Sequence, residues 1–475
     1  MTEYVACFVR RGSEILLGRR TDSGATGAGK AGGTGDGEGT EKVEDTREGE
    51  DTREGEDTRE GEGTEDGGDA AGRQGSEHGA GDVWDIVHET AGADPETTAV
   101  DAVERLADAT LVRTGQPVYP DDDTAVHPFL FDVSVPLLKE DASERSADSE
   151  STLGGTVASD AFEGTEWAAP TELLRRETPP GRWRAYEVVA PTVRSVAADD
   201  EHGSAYISLR GLEVLRDRAA IVADESEDGS GELVDLAARL RRARPSMAAL
   251  HNRVNRAIAE SDGTPEGIEA AATEGIDRAL RADADAASGA AQRADDAAVL
   301  TLSRSRTVLS ALREADARAL FVAESRPGNE GVGVAESLAE SCPVTLHTDA
   351  AIAHVLREEP VDAVLVGADT VRPDGGVVNK TGTRVAALAA DREGVPFLAV
   401  AASDKVATAE TVPLESGDRA AVYDGDAPLD VRNPTFDVTP PDLVDGVVTE
   451  RGTLTPDEVG EVADELRDLA ARAQE

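Results

Sequence analysis

The chain has 475 residues, enough for two or three domains and a sizeable core. It carries 96 Asp+Glu against 47 Lys+Arg, a formal net charge of −49, which argues against a basic nucleic-acid surface. Only five of the basic residues are lysines and aromatic residues make up 3%, so the composition reads as that of a protein built for high salt, where counter-ions screen self-repulsion. Two cysteines, Cys7 and Cys342, form neither a disulfide framework nor a zinc site. The start MTEYVACFVRRGSEILLG lacks a signal-peptide pattern, and no run of 18 uncharged apolar residues occurs. A cytoplasmic location without membrane contact is expected.

In chain order, residues 4–10 and 14–17 flank Arg11-Gly12-Ser13, a hairpin signal. Residues 22–80 are low in complexity: EDTREG occurs three times in tandem (44–49, 50–55, 56–61) and decays into EGTEDG. With almost no apolar residue, this insertion is expected to be disordered. Residues 138–160 look like a shorter polar loop of the same kind. Between and after them, 110–118 and 126–135 read as strands, Thr171 as the N-cap of a helix, and a second helix follows Trp183.

From about residue 204 the character changes. Helical Ala/Arg/Leu-rich segments span 204–221, 231–260 and 265–292, and then strands (298–302, 319–324, 342–347, 361–369, 395–402) alternate with helices. Near-continuous apolar strands separated by helices indicate a parallel sheet covered on both faces. The expected fold class is therefore α/β: an N-terminal α+β domain (1–199), a helical subdomain (200–294) and a Rossmann-like subdomain (295–475).

The hairpin, Trp84, HPFLFDV (127–133) and EWAAPTELL (166–174) together resemble a Nudix domain. That resemblance implies a helix whose paired carboxylates hold Mg²⁺ against a pyrophosphate. In the best register of 81–112, however, the first Glu of the box falls on Gly92, its Arg on Val100, and one of the paired acids on Arg105. Asp101 and Glu104 remain. A Nudix-like fold without hydrolysis is expected, with Mg²⁺ a cofactor only if activity survives; otherwise no cofactor and no metal ligand is assigned.

The most specific run is Gly367-Ala368-Asp369 followed by GGVVNKTGT (375–383). Asp369 lies just past a strand, where open α/β sheets bind ligands. Thr381, Gly382 and Thr383 open a helix whose amides suit an anion, with Lys380 adding charge. These residues resemble the translation initiation factor 2B alpha/beta/delta subunit family, which includes isomerases of methylthioribose 1-phosphate and ribose 1,5-bisphosphate. Arg244-Pro245-Ser246, LTLSRSRTVLSAL (300–312), VAESRPGNEGVG (322–333), VPFLAVAASDK (395–405) and NPTFDVTPPDLVDGVVTERG (433–452) extend the likeness.

The resemblance implies Asp369 as a catalytic acid or base, and Arg244, Asn379 and Lys380, with 381–383, as ligand-binding residues. Where the isomerases carry a working Cys, this chain has Ser303, and their Arg-Gly-Ala loop matches His202-Gly203-Ser204. A serine hydroxyl is far less acidic than a thiol. A regulatory protein that binds a sugar phosphate or nucleotide is therefore expected. An isomerase using Asp369 with Ser303, or a Nudix hydrolase, are the alternatives. The resemblance further implies a homodimer or higher homo-oligomer and a protein partner in translation. Cys342, His347, His354, Trp167 and Trp183 are assigned structural roles.

Overall fold

A computed structural model describes residues 2–20, 83–121, 123–133, 162, 164–225, 229–414 and 416–474. The acidic insertion and the 138–160 loop lie outside the described residues.

Strand Thr2–Arg11 is buried on both faces from Val5 to Arg10, so its apolar residues divide by parity. Val5, Cys7 and Val9 meet Ala99, Ala102 and Val103 of helix Pro95–Glu104, while Ala6 and Phe8 meet Ala185, Tyr186 and Val189 of helix Arg182–Val189. Gly12, at φ +63°, turns the chain into Glu14–Arg20, a backbone conformation that side chains disfavour. Thr124–Val133 runs parallel to the first strand on its other side, within a mixed sheet of eight strands. The strand expected at 110–118 is two, Ala109–Thr114 and Val118–Asp121. Gly115 and Pro117 fall between them, and Pro117 has no N–H for a ladder. Thr171 stands at the N-cap as expected, but its helix is one turn, Glu172–Arg175, and its hydroxyl accepts from Arg175 instead of from a helix amide.

Next comes a helical layer of Ser204–Glu225, Ser230–Ala243, Ala248–Glu260 and Pro265–Ala294. The expected continuous helix over 231–260 breaks at Arg244-Pro245-Ser246, because Pro245 supplies no N–H and holds the preceding residue out of the helical region. Thr264 starts the last helix by accepting the Gly267 amide at 3.0 Å, with Pro265 in its first turn.

The C-terminal sheet has the strand order Val344–His347, Ala319–Ala323, Ala298–Leu302, Ala363–Gly367, Phe397–Val400, Gly446–Thr449, Gly452–Leu454. All pairings are parallel except the last. Numbered by appearance the order is 3-2-1-4-5-6, the doubly wound arrangement, with one antiparallel strand added at the edge. A small antiparallel sheet of Thr370–Val371, Val377–Lys380 and Phe436–Thr439 caps the carboxyl ends, an element absent from the sequence expectation. Among the described residues, no helix is long and apolar enough to cross a membrane.

Charge joins the N-terminal sheet to helix Ser204–Glu225. Arg10, forked onto Asp132 within the sheet at 2.5 and 2.8 Å, faces Glu213 of the helix at 3.8 Å; Arg210 donates to the Gly12 carbonyl and Arg216 to that of Ser13. Glu213, fully buried, lies 2.8 Å from Arg210, and Tyr186 donates to Asp217 at 3.2 Å.

Candidate functional site

The strand order reverses between Ala298–Leu302 and Ala363–Gly367, opening a crevice at their carboxyl ends. Ser303 follows the first of these strands directly and Asp369 follows the second by two residues. Chain reversal at 303 requires φ +63°, and the Ser303 amide donates to Ser325 Oγ at 2.7 Å. Ser325 itself sits at φ +63°, held by Asp349, whose carboxylate accepts the amides of Ser325 and Arg326 at 2.8 and 2.7 Å. On the opposite strand, Gly367 has no room for a side chain: a Cβ would lie 2.5 Å from the Ser305 side chain. The two lips of the crevice are therefore in contact at their base.

Asp369 accepts from Ser204 Oγ at 3.4 Å, so the first residue of the helical layer reaches into the crevice. Lys405, which the sequence did not single out, is buried beside it and donates to the Ala368 carbonyl at 2.7 Å. Burial pushes the Lys405 ammonium below the ordinary lysine range, against the pull of Asp283 and Asp369. Asn252 clamps the turn carrying Lys405 through the carbonyls of Asp404 and Val406, and Arg253 binds the Asp404 carboxylate at 3.3 Å. Arg306, one turn beyond Ser303, stands over the Tyr206 ring and lines a small void with Asp283. Only the tertiary fold brings these charged groups together.

The other expected site residues divide. Asn379 is buried and donates to Thr383 Oγ1 at 2.9 Å, fixing the turn before the helix. Lys380 reaches into the space between elements and pairs with Glu330. The helix opens at Thr383 after Gly382 at φ +111°, and its anion site is already occupied from within the chain. Asp437 accepts the amides of Gly382 (2.8 Å) and Arg384 (3.2 Å), while the Thr381 amide donates to the Thr435 carbonyl. The expectation of a phosphate on the 381–383 amides is corrected accordingly: a carboxylate fills that position. Burial raises Asp437 above the usual carboxylate range despite these amides. Arg244 sits at the rim, where its Nε donates to the Val196 carbonyl at 3.0 Å and its Nη2 to the Asp199 carbonyl. Its neighbour Ser246 accepts from Thr370, which follows Asp369.

In the N-terminal sheet, Glu104 and Asp101 are exposed on helix Pro95–Glu104 and Arg105 pairs with Glu89. Among the described residues no group of three or more His, Cys, Asp or Glu is arranged to hold a metal. Cys7 is buried and its thiol is pushed up to about 12 by burial and by Glu89, which makes it inert at neutral pH.

A model of the Initiation factor 2 subunit family matches residues 200–456. The chain belongs to this family. Ribose 1,5-bisphosphate isomerase of Haloferax volcanii is 35% identical over 296 residues, covering 57% of this chain and 91% of the relative. Methylthioribose-1-phosphate isomerase of Nostoc punctiforme is 37% identical over 164 residues, 32% of this chain and 46% of that protein. Among solved structures, the translation initiation factor eIF-2B of Pyrococcus horikoshii matches with a TM-score of 0.49 and 28% identity, covering 56% of this chain and 96% of the other. The family match begins at residue 200, so the mixed N-terminal sheet stands outside it.

Proposed function

We propose that this member of the Initiation factor 2 subunit family binds a sugar phosphate in the Ser303–Asp369 crevice and acts as a binding and regulatory protein. One observation carries the reading: the strand order puts Ser303 and Asp369 on the two lips of the switch point, with Lys380 and Asn379 on the sheet that caps it. The name of the Haloferax volcanii relative supports a pentose bisphosphate as the ligand class. Lys380 would hold a phosphate as a point charge, and Arg244 would fork onto a second at the rim. Asp369 would accept hydrogen bonds from sugar hydroxyls. Moving a proton between adjacent sugar carbons needs a second group of matched acidity, and a serine at 303 supplies it poorly. The N-terminal sheet we read as a Nudix-like domain without hydrolysis (1–199), followed by helical (200–294) and Rossmann-like (295–475) subdomains. A second copy of the chain and a protein of the translation machinery are its proposed partners.

Lys405 favours a second reading. A buried amine bonded to the carbonyl of the residue before Asp369, and feeling the Asp369 charge, offers a titratable group that Ser303 does not, which would suit an aldose-phosphate isomerase. Incubation with ribose 1,5-bisphosphate and carbonyl detection of a ketose separates the two. Saturable binding without turnover is the expected result. Ketose formation that disappears in Asp369→Asn would make the protein an isomerase and overturn the regulatory reading.

A further inference from the structure

Between the N-terminal sheet and the helical layer lies a cavity of about 450 Å³, within the size range of small-molecule sites. Arg10 and Arg113 reach it from the sheet, Arg210 and Tyr206 from helix Ser204–Glu225, and residues 198–202 form its mouth. It is separate from the crevice and does not depend on the sugar-phosphate reading.

The charges around it are unequally matched. Arg10 is neutralised by Asp132, but Arg113 is held by the Val189 and Ala190 carbonyls at 3.2 and 2.5 Å and by no carboxylate among the described residues. Burial and the neighbouring Arg10 charge push the Arg113 guanidinium below its ordinary range, as expected for a cation crowded by another. Arg210 is 6% exposed; it faces Glu213 and the Gly12 carbonyl, yet its Nε is buried with no hydrogen-bond partner among the described residues. Of the three acids at the mouth, Asp199 and Asp200 have other partners, although the Asp199 charge also reaches Arg113. Asp199 accepts the amides of Glu201 and His202 and lies 3.0 Å from the His202 ring, and Asp200 faces Arg244 at 3.4 Å. His202 stacks on Tyr206 with ring centroids 4.0 Å apart, closing one side.

We propose that this cavity is a second ligand site, for a compact phosphate ester held by Arg113, with the Arg210–Glu213 pair forming the wall beside it. Arg113, which has backbone carbonyls but no carboxylate at ion-pair distance among the described residues, can turn its remaining donors to phosphate oxygens. The site is also wired to the crevice. The Glu201 carbonyl accepts from Arg304, next to Ser303, and Ser204 donates to Asp369, so the segment 199–204 borders both. Occupancy of the cavity would be felt at Asp369 without contact between the two ligands.

Calorimetric titration of the full chain with ribose 5-phosphate, at fixed KCl, tests this. Wild type should bind two molecules, Lys380→Gln should lose the crevice site, and Arg113→Gln should lose the other by about tenfold or more, the size of one charged hydrogen bond. Val112→Trp changes an exposed residue at the cavity and should block it while leaving the buried charges in place. A single site that vanishes with Lys380→Gln and is untouched by Arg113→Gln or Val112→Trp would overturn the proposal and leave the crevice reading intact. A single site lost only in Arg113→Gln and Val112→Trp would support the proposal and overturn the crevice reading. Absence of binding in wild type would refute both.

Discussion

Lys380 is the residue whose removal most directly interrogates the crevice, because its charge is already committed. Its ammonium is paired with Glu330, each side chain is 22% exposed, and the second Glu330 oxygen is buried without a hydrogen bond among the described residues. A phosphate entering the crevice must draw Lys380 away from that carboxylate. Lys380→Ala removes a charged hydrogen bond of about 1.5–3 kcal/mol and leaves the Glu330 charge facing the ligand. Affinity should fall by about 10–150-fold. Glu330→Gln keeps the shape and removes the competitor. Partly buried pairs of this kind are worth about 1 kcal/mol, so the variant should bind about fivefold tighter. Calorimetry with ribose 1,5-bisphosphate in constant KCl measures both changes. Weaker binding in Glu330→Gln, or unchanged binding in Lys380→Ala, would refute a phosphate at this position.

Arg182→Met should destabilise the N-terminal sheet by about 3 kcal/mol, since it strips a fully buried Asp85 of contacts at 2.6 and 3.3 Å. All three tryptophans lie in that part of the chain, so fluorescence during urea unfolding reads the loss; a midpoint shift below about 0.3 M would contradict it. Burial alone would raise Asp85, but His88 and Arg182 hold it well below the carboxylate range. Its contribution is therefore complete above about pH 4 and drains away as pH falls through the folded value, so the variant's deficit should shrink in acid. Deleting 22–80 should leave the melting temperature within a few degrees, because Arg20 and Val83 are register partners and the remaining connection is a short turn. A large drop measured by calorimetry would mean that the repeat is packed. Lowering KCl from 1 M to 0.01 M lengthens the Debye screening distance from about 3 to 30 Å, and a chain of net charge −49 should unfold across that range. An unchanged circular-dichroism spectrum at low salt would count against adaptation to high salt.

What could be read in advance was whatever depends on neighbours along the chain. The strand at 298–302 is fully buried from end to end, and its apolar run announces it. Gly12 marks a turn through its own backbone chemistry, whereas the break at Pro245 is masked by helix-forming residues on both sides of it. The capping sheet escaped because its strands have two to four residues and Lys380 pairs with Phe436 across a long separation. The same separation hid Asp437. Nothing near 381–383 signals that a carboxylate more than fifty residues on will take those amides. Lys405 and Arg306 were invisible for a related reason: a lone lysine or arginine acquires meaning only from what burial and topology place beside it.

The seam between the N-terminal sheet and helix Ser204–Glu225 bears on how such a chain could be taken apart. Among the described residues no apolar cluster crosses it: one ends at Ala190 and the next starts at Val196, with Arg10, Arg210, Glu213, Arg216 and Asp217 between the sheet and the helical layer. Greasy faces clump when pried open, whereas ionic ones take up water and salt. Two polypeptides divided near Pro191 would each present a hydratable face bearing complementary partners, Arg10 and the Gly12 and Ser13 carbonyls on one, Glu213, Arg210 and Arg216 on the other. Such halves could be produced apart and would recombine with a strength set by ionic conditions, a fusion joint that behaves like a detachable coupling.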